Sequence, residues 1–172
     1  MKVTLKPLGD VADEVMDELK EKIKLVFDCP VEIKPGFSDL VHAYDAQRGQ
    51  YHASKLIAAL STSRRERDER VVGITEVDLY ALGLNFVFGE ADIVHKVVII
   101  SSCRLRQEYY GLPPDRTLFI QRATKEIVHE LGHTFSLEHC PDPRCVMHFS
   151  NCLADTDWKE ASFCSKCRPK II

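Results

Sequence analysis

HELGHTFSLEHC, residues His129 to Cys140, is the stretch that decides how this chain is read. It gathers three of the chain's seven histidines into eleven residues. His129 and His133 stand four apart. On a helix of about 3.6 residues per turn they share one face, so two imidazoles can converge on one ion. Glu130 is turned about 100° around the axis from His129. Its carboxylate can approach the ion without being forced into coordination. That is where a general base must stand to deprotonate a water that the ion activates. His139 is the natural third ligand, but six residues past His133 it lies off the helical face. The helix must therefore end between them and the chain turn back under the ion. Three neutral imidazole nitrogens suit zinc, at roughly 2.0–2.1 Å each, and leave a fourth position for water.

Upstream, Gly111 to Phe135 opens on Pro113-Pro114, with Asp115 as a candidate N-cap. Leu118, Ile120, Ala123, Ile127, Leu131 and Phe135 then recur at helical spacing, which predicts a long helix packed on a sheet. Lys2–Leu8 alternates as a strand. Asp10–Asp28 carries Val11, Val15, Leu19, Ile23 and Val26/Phe27 as a helical face closed by Pro30, and Val31–Lys34 reads as a second strand ended by Pro35-Gly36. Tyr51–Ser63 predicts a second amphipathic helix through Ala53, Leu56, Ile57 and Leu60. Arg64–Arg70, RRERDER, reads as a solvated loop or helix end. Three strands are expected in 71–80, 84–90 and 93–102, which are rich in β-branched and aromatic residues and broken by Gly73, Gly83 and Gly89. The resulting order, β-α-β-α-β-β-β-α, predicts an α/β or α+β domain with a mixed sheet, followed by an irregular cysteine-rich tail.

With 172 residues, 45% hydrophobic and 28% charged, the composition suits one globular domain. No apolar run is long enough to span a membrane. The formal net charge of −3 gives no electrostatic footprint for nucleic acid. The opening residues turn acidic at once and carry no apolar core of a secretory signal, so a cytoplasmic, reducing setting is expected. The expected state is a monomer acting on a peptide or protein, with no nucleic-acid or membrane partner.

Five of the seven cysteines crowd the last third of the chain. In a reducing setting such a cluster binds metal more often than it forms disulfides. Cys140-x4-Cys145 and Cys164-x2-Cys167 form two pairs separated by 18 residues. Four thiolates would close a tetrahedral structural zinc site. Cys152 competes as a ligand and His148 does so more weakly, while disulfides or free thiols are the plainer alternative.

From His129 to Cys167 the chain resembles the metzincin clan of zinc metallopeptidases, whose extended signature is HExxHxxGxxH. Within the clan it is similar to the archaemetzincins, in which HExxHxxGxxHCxxxxCxM is followed by CxxC. The resemblance implies a metzincin-like zincin fold. Its sheet would be mixed, mostly parallel and twisted, with three main helices including the active-site helix. Residues 1–135 would form the sheet-and-helix part, and 136–172 a tail holding the second zinc. It implies a catalytic zinc on His129, His133 and His139, peptide hydrolysis with Glu130 as general base, and Met147 as the methionine turned beneath the histidines. An edge strand would bind extended peptide, and Asn85–Gly89 (NFVFG) is the candidate. Ser136 stands where the family has glycine, at a point where the chain leaves the helix with positive φ. A catalytically weak or inactive zinc-binding structural or regulatory protein on the same fold is the alternative.

Overall fold

The protein is described by a computed structural model covering residues 1–171. Five strands form the main sheet: β1 (Lys2–Leu8), β2 (Val31–Ile33), β5 (Glu69–Thr75), β7 (Gly89–Asp92) and β8 (Val97–Ser101), in the order β2-β1-β5-β8-β7. All neighbours run parallel except β7, which pairs antiparallel to β8 at the edge. A parallel sheet must be covered on both faces, so its inner strands read as near-continuous apolar runs. Every residue of β5 and β8 is buried. Val72, Ile74, Val98 and Ile100 face one apolar layer, with α1 (Asp13–Phe27) and α3 (Arg116–His133). Val71, Val97 and Ile99 face the other, built with Leu56, Ile57 and Leu60 of α2 (Ala53–Ser61). The mixed, mostly parallel sheet and three main helices match the expected fold class.

The helix boundaries follow local chemistry. Asp115 caps α3, its side chain accepting from the Leu118 amide at 2.9 Å. The left-handed Asp28 closes α1, two residues ahead of Pro30. On α3 the buried face is wider than expected: Phe119, Val128 and His129 are sunk, and Leu118 is only half-buried.

Four expectations need correction. Arg64–Arg70 is not wholly a solvated run, because Glu69 and Arg70 begin β5 and are buried. Glu69 accepts from Thr4 Oγ1 at 2.6 Å and from the amides of Arg65 and Glu66, so the charged segment is folded back onto its own carboxylate. The segment 71–80 is not one strand: β5 ends at Thr75, and β6 (Leu79–Tyr80) belongs to a separate small sheet with β3 (Tyr44–Asp45) and β4 (Gln50–His52), in the order β3-β4-β6. Residues 84–88 are largely irregular, tied by one bridge from Val87 to Leu79, and the strand at the sheet edge starts only at Gly89. The tail is not wholly irregular either. Its helix α4 (Leu153–Trp158) and the residues after it dock on α3, where Arg122 grips Asp157 through two bonds of 2.6 and 2.7 Å and Lys125 donates to the carbonyls of Thr156 and Asp157.

Candidate metal centre

Helix α3 stops at His133, between the two histidines as the spacing requires. The chain leaves through Ser136 in the left-handed region, φ 61°. Serine therefore adopts the conformation that glycine takes at lower strain, at a cost of about 1 kcal/mol. The amide of Ser136 donates to the His133 carbonyl at 2.8 Å, and the backbone then reverses so that His139 returns to the other two imidazoles. The candidate ligand atoms of His129, His133 and His139 all lie within 4.8 Å of one another.

Their orientation is set from behind. His129 Nδ1 donates to the Val146 carbonyl at 2.8 Å, and His133 Nδ1 donates to the Leu137 carbonyl at 2.7 Å. Committing both Nδ1 protons turns the Nε2 lone pairs toward a common point. Those two Nε2 atoms are 3.1 Å apart. Nitrogens held ~2.0–2.1 Å from one tetrahedral ion stand ~3.3–3.4 Å from each other, so the pair is spaced for a shared cation. Burial, reinforced by the positive charge of Lys159, pushes His129 down to about 2, and burial lowers His133 and His139 as well. In each case the shift favours the neutral ring, the form that binds metal.

Glu130 is buried beside this cluster. Burial first, and then the carboxylates of Glu126 and Glu90, raise its carboxyl to about 8, with Lys159 opposing. A divalent cation alongside acts in the opposite direction. The approach of the edge strand to Glu130 depends on Gly89: a Cβ there would sit 2.8 Å from Glu130 Cγ and 2.8 Å from the Ile99 carbonyl oxygen. Met147 is fully buried below the cluster, packed so closely under α3 that a Cβ on Gly132 would lie 2.3 Å from its sulfur. The glycine of the HELGH segment is what lets methionine sit there.

The second expected group also assembles. The sulfurs of Cys140, Cys145, Cys164 and Cys167 lie within 4.8 Å of one another, and the Cys140–Cys164 pair is 3.8 Å apart. Sulfurs ~2.3 Å from a tetrahedral zinc stand ~3.8 Å apart. Burial resists ionisation of Cys164, but the amides of Cys167 and Lys166 and the neighbouring thiols outweigh it and take the thiol down to about 7, while Cys167 is pushed up. Cys152 is not brought to the cluster; it is exposed and forms the N-cap of α4. His148 is not brought in either, and its Nδ1 donates to the Cys140 carbonyl at 2.9 Å.

A cavity of about 230 Å³ opens beside His129 and Glu130, with Phe86, Phe88, Phe149 and Ser150 on its walls and Glu126 at its edge. The NFVFG segment lines it as an irregular wall, with only Gly89 in a strand. That wall is held by the small sheet. Arg48 Nη2 donates to the carbonyls of Leu84 and Asn85 at 3.0 Å each. Gln50 Nε2 donates to the same Asn85 carbonyl at 3.0 Å, and Arg104 stacks 4.3 Å over Phe86 while gripping Asp78. Beneath the cavity, the fully buried Lys159 pairs with Glu126 Oε1 at 3.0 Å and reaches the His148 carbonyl at 3.4 Å. Sequence reading missed Arg48, Gln50, Gly132 and the Glu126–Lys159 pair. The acidic residue one turn before Glu130 was the one available hint.

The model of Peptidase family M54 matches residues 2–172. The chain belongs to this family. The archaemetzincin of Methanocaldococcus jannaschii is 44% identical over 171 residues, spanning 99% of this chain and 93% of that one. The archaemetzincin of Pyrococcus furiosus is 48% identical and spans 96% and 89%. Among solved structures, a zinc-dependent peptidase from Methanocorpusculum labreanum superposes with TM-score 0.92 at 31% identity, covering 99% of this chain and all of that one. The archaemetzincin of Methanopyrus kandleri gives 0.85 at 39%, covering 99% and 93%. The M54 chain described here is a zinc metallopeptidase of the archaemetzincin family, and its substrates are peptides or proteins.

Proposed function

We propose that this peptidase cleaves peptide bonds at the cluster of His129, His133 and His139, with these three residues holding the catalytic zinc and Glu130 acting as general base. The observation that carries the assignment is the pair of Nε2 atoms 3.1 Å apart, each ring fixed by a carbonyl behind it. His129, His133 and His139 would hold zinc there, which would supply Lewis-acid polarisation of a carbonyl and of water near neutral pH. Glu130 accepts the proton of the attacking water and delivers it to the leaving amine. The low polarity around its carboxyl, which raises its proton affinity, suits both duties. A purely structural zinc protein gives no reason to bury, at that point, a carboxyl that accepts no hydrogen bond among the described residues. In Glu130→Gln, turnover of a peptide substrate should fall by roughly 10²–10⁴ while zinc content stays unchanged. Turnover within a few-fold of the parent refutes the assignment.

A second zinc on Cys140, Cys145, Cys164 and Cys167 serves structure, giving two ions per chain. It clamps the tail. Cys140 adjoins His139, and Cys145 adjoins Val146, whose carbonyl orients His129. Met147 is the floor beneath the histidines and binds no metal. Residues 1–172 act as one domain, in which 1–135 supply the sheet and active-site helix and 136–172 the turn and the thiol cluster. No helix among the described residues is long and apolar enough to cross a membrane. A cytoplasmic monomer without nucleic-acid or membrane partners is the working state; a dimer by sedimentation would revise it.

A further inference from the structure

The cavity beside Glu130 has apolar walls from Leu84, Phe86, Val87, Phe88 and Phe149 alongside polar groups, and one of those polar groups, Glu126, keeps an unused oxygen. Glu126 sits one helical turn before Glu130 and borders the cavity, 3% exposed. Its Oε1 is used twice, by Lys159 Nζ at 3.0 Å and by Thr156 Oγ1 at 2.9 Å. Its Oε2 receives no hydrogen bond among the described residues, yet it is not among the atoms sealed from solvent. Glu126 lines the cavity while Lys159 and Thr156 do not, which leaves the cavity as the place its free oxygen can meet a ligand. Ser150, also a cavity-wall residue, has a buried hydroxyl that finds no partner among the described residues. Around these polar groups stand the rings of Phe86, Phe88 and Phe149.

A buried acceptor at the end of an aromatic sleeve asks for a matching donor. Charge decides which kind. Lys159 already neutralises Glu126, so a lysine or arginine tip would leave an uncompensated cation in a buried site that also adjoins the metal centre. A neutral donor on a flat ring satisfies Oε2 without adding charge. We infer that Glu126 is a specificity-determining residue and that this cavity selects a tyrosine side chain of the substrate, its hydroxyl donating to Glu126 Oε2. The inference rests on the peptidase site proposed above.

The test uses the zinc-loaded full chain and peptides that differ at one position, tyrosine, phenylalanine or lysine, chosen from a cleaved library sequence. Tyrosine should exceed phenylalanine in kcat/KM by roughly ten- to hundredfold, the range of a hydrogen bond to a charged acceptor, and lysine should be cleaved no better than phenylalanine. In Glu126→Gln, Oε1 can still meet Lys159 and Thr156 while the second acceptor is gone. There the tyrosine advantage should shrink at least several-fold, with melting temperature and zinc content as controls for folding. Should that variant not fold, calorimetric binding of the same peptides to zinc-loaded Glu130→Gln carries the comparison, and tyrosine should again bind more tightly. Equal use of tyrosine and phenylalanine by the parent chain overturns the inference, with water then the occupant of Oε2. A tyrosine preference in binding with undiminished turnover in Glu130→Gln would instead sink the base assignment and leave the selectivity standing.

Discussion

Replacing Gly132 by alanine tests the packing that seats the histidine-bearing helix on the tail. The added Cβ would meet Met147 Sδ at 2.3 Å, Met147 Cε at 3.1 Å and Phe163 Cε1 at 3.1 Å. Met147 is fully enclosed and Phe163 is buried, so neither can swing into solvent. Overpacking of this kind costs about 1–3 kcal/mol. Alanine regains about 0.8–1.0 kcal/mol of helix propensity over glycine. The balance is a destabilisation of up to about 2 kcal/mol, a fall in Tm of roughly 4–8 °C at this chain length. Because the sign alone is a soft test, the decisive measurement is a double-mutant cycle with Met147→Ala. That substitution alone opens a cavity costing about 2–5 kcal/mol. In the double variant the new Cβ partly fills the space, so the two effects should fall short of their sum by at least about 1 kcal/mol. Thermal or denaturant unfolding at fixed, saturating zinc supplies the four values, since free zinc shifts apparent stability by mass action. Additive effects, or a Gly132→Ala chain more stable than the parent, would refute the claim that glycine is there to admit the methionine.

Replacing Cys164 and Cys167 by serine should remove one zinc per chain and weaken retention of the other against a chelator; elemental analysis before and after dialysis reads both, and unchanged retention at the histidines breaks the clamp. Arg48→Met should raise KM several-fold with little change in kcat or zinc content, because it frees the Leu84 carbonyl and takes one of two donors from the Asn85 carbonyl without touching the chemistry; a loss confined to kcat would contradict this. Burial alone would raise Glu69, but bonds from Thr4 and the amides of Arg65 and Glu66 hold it below the ordinary glutamate value. The carboxylate therefore contributes stability that is complete above that ordinary value and lost as pH falls through the lower, folded one. Glu69→Gln should thus be less stable than the parent near neutrality, with the gap in denaturant midpoint closing toward pH 3; a gap that widens in acid reverses the argument.

The legible parts of this protein are those whose spacing is itself the geometry. Residues His129 and His133, one turn apart, could meet only on one helical face. The distance to His139 demanded a chain reversal, and Ser136 makes it with the φ a glycine would take. The paired cysteines were readable for the same reason, and Asp115 was readable as a cap because capping is a three-residue affair. What escaped is non-local. Lys159 and Glu126 are 33 positions apart and look like two surface charges until α4 folds the tail back onto α3. Gly89 reads as a strand breaker and Gly132 as one more position of the predicted helix, because nothing in the string says which side chain will press against them. The apolar residues of 84–88 resembled a strand, yet they serve as a wall whose backbone is satisfied by side chains of the small sheet. Cys152 resembled a ligand, but its position at the start of α4 puts it on the surface.

Two neighbours in the chain, His139 and Cys140, belong to separate clusters, with a single peptide plane between them. There is no slack to absorb a change of radius on either side. A bulky, sulfur-loving ion such as cadmium, seated among the thiols, must swell that tetrahedron and drag the imidazole next door. On the two-zinc assignment proposed above, exchange at the thiols should therefore lower peptidase activity even where the histidines keep their own ion.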